Sequence, residues 1–140
     1  MLSMAKDLFH QAVRNALEKE SWFITDDPLS LKLGGVDLYI DLGAEKLLAA
    51  ERAGQKIAVE IKTFGGRSEI AEFHLALGQF LNYRLALQVS DPDRELFLAV
   101  PQVIYESFFT LEFIKMSIAN YQIKLLVYEP TTETIALWKN

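Results

Sequence analysis

Apolar positions recur at helical spacing over residues 4–20. Leu8, Ala12, Val13, Ala16 and Leu17 share a stripe there, while Asp7, Arg14, Glu18 and Lys19 take the other faces, as in an amphipathic helix. The pattern then switches to a period of two. "SWFIT" (21–25) predicts a short strand, "DDPLS" and "LGG" supply turn residues, and "VDLYIDL" (36–42) alternates Val36, Leu38, Ile40 and Leu42 with Asp37, Tyr39 and Asp41, as a half-buried strand does. "KLLAAER" and "QKIAVEIKTF" flank Ala53-Gly54 and read as a hairpin. A turn centred on those two residues sets 51 opposite 56, 49 opposite 58, 47 opposite 60 and 45 opposite 62. That register gives Leu48, Ala50, Ile57, Val59 and Ile61 one face, and Glu45, Leu47, Ala49, Ala58, Glu60 and Lys62 the other.

"GGRS" (65–68) breaks the strand, and Ser68 is suited to N-cap a helix from about 69 to 89 with a core stripe of Ile70, Phe73, Leu77, Phe80, Leu81 and Leu85. "ELFLAV" (95–100) predicts a further core strand, and Pro101 opens a helical stretch to about Ala119. "IKLLVYE" and "TIALW" close the chain as a hairpin around "PTTE". The apolar stretch "VIYESFFTLEFIKM" is rich in aromatics for a solvated helix; packing on the domain's own sheet is the first expectation, and burial in a second subunit of a homo-oligomer is the alternative. The expected fold is an α/β (α+β) mixed sheet, one domain over residues 1–140.

Composition narrows the chemistry. The chain has 140 residues, no cysteine and two histidines, His10 and His74. Disulfides and thiolate metal sites are excluded, a zinc centre is disfavoured, and any metal has to be a hard ion held by carboxylate oxygens. A net charge of −5 argues against an avid free-standing nucleic-acid binder, since that affinity comes from Lys and Arg neutralising phosphates. Lys56, Lys62, Arg67 and Arg84 remain candidates for a local basic lane. The absence of a long apolar run predicts a soluble cytoplasmic protein.

The segment "AVEIKTF" (58–64) carries Glu60 and Lys62 inside what is otherwise a buried strand, and both are expensive to desolvate. Residues two apart on a strand share a face, so the pair points the same way. Acids on two adjacent strands can grip Mg²⁺, and the metal with the lysine can activate water and stabilise a phosphorane. The bland reading is a partly buried ion pair at a strand end. In the next helix Gln79 and Tyr83 lie four apart, on one helix face.

The element order, the Glu60-Ile61-Lys62 signature and the Gln-x-x-x-Tyr pattern resemble the PD-(D/E)XK nuclease superfamily, which implies a restriction-endonuclease-like αβββαβ core with an additional helix and a C-terminal hairpin. The resemblance implies Asp41 or Glu45, Glu60, Lys62 and Gln79 as catalytic residues, Asp41 and Glu60 as ligands for Mg²⁺, and Tyr83 as a further site residue. It favours Asp41 as the upstream acid, whereas the hairpin arithmetic favours Glu45. Gly43 can host a bulge that turns Asp41 inward.

"WFITDDPLSL", "IDLGAEKLLAAER", "KIAVEIKTF" and "ALGQFLNYRLAL" together resemble the XisH family of fdxN-element excision controlling factors. This resemblance implies a cyanobacterial setting, a part in DNA rearrangement during heterocyst differentiation beside a site-specific recombinase, and a small XisI-like partner protein. Two functions follow. One is an accessory factor for DNA excision that meets DNA through its partners. The other is a Mg²⁺-dependent DNA endonuclease or nickase.

Overall fold

Strands β6 (Arg94–Pro101) and β7 (Leu125–Glu129) are buried on both faces, so their sheet needs a helical layer on each side. In the computed structural model, which describes residues 2–46 and 54–140 and side chains from Asp7 onward, those layers are present. Leu96, Leu98, Val100, Leu125 and Val127 join the core under α2 (Glu69–Ser90), α3 (Gln102–Ser107) and α4 (Glu112–Asn120). Phe97, Ala99, Leu126 and Tyr128 join the opposite core, where α1 (Leu2–Lys19) contributes Val13 and Leu17.

The sheet has six strands in the order β1-β4-β5-β6-β7-β8, with β1 at Phe23–Asp26, β4 at Leu42–Lys46, β5 at Gln55–Ile61 and β8 at Thr134–Lys139. β5, β6 and β7 run parallel, and the remaining pairs are antiparallel. β2 (Leu29–Leu33) and β3 (Val36–Ile40) form a separate hairpin. Its turn uses Gly34 and Gly35 at positive φ, where a side chain would be strained. The architecture is the expected mixed α+β sheet. Among the described residues no helix is long and apolar enough to cross a membrane.

The predicted face assignment of the third core strand is found. Ile57, Val59 and Ile61 pack on the α1 side, and Ala58 packs on the α2 side. Ser68 caps α2, its hydroxyl accepting from the Ala71 N–H at 3.2 Å.

Several expectations are corrected. "VDLYIDL" is two strands, because the chain bends at Asp41 between β3 and β4. β2 occupies a stretch read as turn. The helix expected from Pro101 to Ala119 is divided by a turn between α3 and α4, which lets Phe108 and Phe109 insert beside Phe64 and Phe73. The aromatic-rich segment therefore buries Phe108, Phe109, Ile114 and Ile118 in the chain's own core, while Val103, Phe113 and Met116 stay exposed. Ile70 and Leu85 of the expected α2 stripe are exposed.

The β4–β5 register differs by six residues from the turn arithmetic. Glu45 faces Lys56 and Leu42 faces Val59. The assignments of Leu47, Leu48, Ala49 and Ala50, and the turn at Ala53, lie outside the described residues.

Candidate functional site

Continuing the β4–β5 register one step past Leu42–Val59 brings Asp41 opposite Glu60. The bend at Asp41 takes its backbone out of the ladder, and its carboxylate replaces the missing acceptor: Oδ2 receives the Ile61 N–H at 2.8 Å. In return the Asp41 N–H donates to Glu60 Oε1 at 3.2 Å. Lys62 continues the parallel pairing, its N–H donating to Ala99 O at 3.0 Å, and its ammonium Nζ lies 3.5 Å from Glu60 Oε2.

Asp41, Glu60 and Lys62 open onto a groove of about 480 Å³ that is also lined by Phe9, His10 and Glu72. Phe64, at φ +55°, turns the chain out of β5 toward Gly65, Gly66 and α2. That left-handed conformation is uncommon for a bulky residue, and it is held by the packing of the ring on Phe108 and Phe109. The Gly66 N–H donates to Glu72 Oε2 at 2.9 Å, which fixes that wall of the groove.

Glu60 is only 6% exposed. Burial, then the Asp41 charge, pushes its pKa up to about 7, with the Lys62 ammonium pulling the other way. Negative charge is thus in excess over the one lysine, and a hard divalent cation is the species that would relieve it. The Tyr128 hydroxyl, buried without a hydrogen-bond partner among the described residues, has its pKa raised by burial and then by the Asp41 charge.

Two carboxylates from neighbouring strands, with room in the groove for water, fit a hydrated Mg²⁺, which characteristically takes one or two protein carboxylates and keeps several waters. Among the described residues no three His, Cys, Asp or Glu side chains gather as a metal cluster. Asp41 and Glu60 would hold such an ion. Bound there, Mg²⁺ would polarise a phosphoryl oxygen or acidify a water.

The remaining candidates separate. Glu45, which the turn arithmetic set across from Lys62, sits at the other end of β4, half exposed and 3.7 Å from the Arg94 guanidinium. Arg94 is itself buried, donating to Asp91 Oδ2 and to Ile57 O at 2.9 Å each. Gln79 is exposed and makes no side-chain hydrogen bond among the described residues. Tyr83 is half-buried against the α2-side core, and burial, then the charges of Glu60 and Asp41, raises its pKa. The basic lane is mostly committed elsewhere. Lys56 pairs with Asp91 at 2.7 Å, and Arg84 donates to Tyr121 O and Gln122 O.

Sequence reasoning missed Glu72 and Tyr128 and considered His10 only as an improbable zinc ligand. His10 lines the groove with Nε2 2.8 Å from Asp27 Oδ1, a carboxylate also held by Arg14. The i, i+4 spacing of His10 and Arg14 was the available signal.

The family model described as XisH protein matches residues 3–136. Two solved structures are similar throughout. An XisH family protein from Nostoc punctiforme PCC 73102 is 51% identical, with a TM-score of 0.86 over 95% of this chain and 99% of that one. A fdxN element excision controlling factor protein from Anabaena variabilis is 51% identical, with a TM-score of 0.87 over 96% of this chain and 99% of that one. No curated protein matches. With a family match over nearly its whole length and this likeness in both sequence and coordinates, the chain belongs to the XisH family.

Proposed function

We propose that the chain is an accessory factor for excision of an fdxN-type DNA element, built on an endonuclease-like core whose Asp41–Glu60 pair takes Mg²⁺. Family membership and the likeness to the Anabaena variabilis excision controlling factor support the excision role. The element succession α1-β1-β4-β5-α2-β6 supports the nuclease-like core. The observation that carries the cation site is that the two carboxylates are held side by side, Glu60 Oε1 accepting from the Asp41 N–H and Asp41 Oδ2 from the Ile61 N–H, with the Lys62 ammonium 3.5 Å from Glu60.

A net charge of −5 leaves the DNA grip to companions, a site-specific recombinase and a small XisI-like protein. A second reading, a Mg²⁺-dependent endonuclease or nickase, is favoured by Lys62 standing beside the acids, where an ammonium can stabilise a phosphorane.

An excision assay with the recombinase and an element-bearing plasmid, run with and without this chain, tests the role. Excision that depends on the chain is expected, and excision indifferent to it overturns the accessory reading. Lys62→Ala divides the two readings. Retained excision, with no Mg²⁺-dependent nicking of supercoiled plasmid by the wild-type chain, fits the accessory factor. Nicking by wild type that Lys62→Ala abolishes fits the nuclease.

A further inference from the structure

The outer face of α2 has a regular pattern that the site does not use. Ala71, Leu75, Gly78, Asn82, Leu85 and Val89 follow one another at spacings of four and three, which is the a/d seam of a heptad repeat. All six are exposed, with Leu75 at 70%, Leu85 at 59% and Val89 at 62%. At 100° per residue the seam lies opposite Phe73, Phe80 and Leu87, which bury the inner face of the helix. A Cβ added at Gly78 would meet nothing within 4 Å among the described residues. Between Glu72 and Asp91 the helix carries one Asp, Glu, Lys or Arg residue, Arg84, and its guanidinium is tied to the Tyr121 and Gln122 carbonyls. Apolar character combined with loss of charge is the composition of an interface core and not of a solvated helix.

The seam is also a palindrome in size. Laid antiparallel on a second copy about a two-fold axis level with Phe80, Ala71 meets Val89, Leu75 meets Leu85 and Gly78 meets Asn82. Antiparallel seams pair an a position with a d position, and here each such pairing matches large with large or small with larger. A parallel pair would set Gly78 against Gly78 and leave a hole. In the antiparallel pair the Asn82 amide lies over the bare Gly78 backbone, and a lone polar a position fixes register.

We infer that α2 is a self-association surface, through which two copies of this chain form an antiparallel, two-fold dimer. The seam is about 27 Å long at 1.5 Å per residue. A helix half-face of that length buries roughly 450 Å² per chain, about 900 Å² in all, below the range of standard stable interfaces and within that of weak, transient ones. The dimer is therefore a weak, concentration-dependent one.

Sedimentation velocity of the full chain, from about 1 to about 200 µM, a span suited to weak association, tests the inference. A shift from monomer to dimer is expected. Leu75→Glu and Leu85→Lys should each hold the chain monomeric, because they place like charges or a buried unpaired charge in the seam. The double variant L75E/L85K should dimerise again, since each new acid faces a new base across the two-fold axis. Circular dichroism and melting should be unchanged in all three, as both leucines are exposed. A chain that stays monomeric throughout overturns the inference, as does a dimer untouched by Leu75→Glu. Loss in the single variants without recovery in the double overturns the antiparallel register and gives the stripe to a different helix.

Discussion

Glu60 answers for its own burial. A carboxyl that is 6% exposed is tolerable because it accepts from the Asp41 N–H and has an ammonium nearby. Its pKa is nonetheless raised to about 7 by burial and by Asp41. An acid whose folded pKa exceeds its unfolded value holds its proton more tightly when folded. It costs nothing below the unfolded pKa, near 4.5, and destabilises progressively as pH rises to about 7, by on the order of 3 kcal/mol. Urea titrations at pH 5 and pH 8 should show Glu60→Gln gaining stability on wild type at the higher pH and little at the lower. A gain independent of pH would mean that the charge of Glu60 is not the cause. Tyr128→Phe removes a buried hydroxyl that has no partner among the described residues, so the melting temperature should hold or rise, whereas removing a satisfied hydroxyl costs about 1 kcal/mol.

At the scale of elements, the site exists because β3 and β4 are separate strands. Asp41 is the bend between them, and β1 shifts register where Asp26 faces Gly43. A Cβ at Gly43 would come within 2.9 Å of Asp26 Oδ2 and 3.2 Å of Arg94 Nη1. Gly43→Ala should therefore destabilise by about 1–3 kcal/mol, measured by chemical denaturation, and should lower any cation affinity by shifting Asp41. An unaffected melting curve would show that the neighbours give way freely.

Most of this layer was legible beforehand. The extended run "QKIAVEIKTF" marked β5 and its faces, the apolar run "ELFLAV" marked β6, and the Ser68 cap marked where α2 begins. The bend at Asp41 was hidden because Val36 to Leu42 alternate without a break, and only tertiary pairing divides them. The choice between Asp41 and Glu45 could not be made from turn residues. The strands pair out to Lys46 and Gln55 in a register that a two-residue Ala-Gly turn does not produce. Glu72 and Tyr128 reach the site region from α2 and β7, too far along the chain for spacing to connect them.

For the whole molecule, the central strands β6 and β7, buried on both faces, form the frame. The groove sits where β5 ends, between the middle of α1, at Phe9 and His10, and the first turn of α2, at Glu72. A chain of net charge −5 should show little retention of duplex DNA alone at about 150 mM salt, and added partner should raise it. Tight salt-sensitive binding by the isolated chain would contradict that division of labour.

The claim beneath these readings is that Asp41 and Glu60 form one cation site, and calorimetric titration with Mg²⁺ and Mn²⁺ at pH 8 tests it most directly. The prediction is one binding event per chain, lost in both Asp41→Asn and Glu60→Gln and kept in Glu45→Gln. Absence of binding in the wild type, or binding that survives removal of either carboxylate, would contradict it.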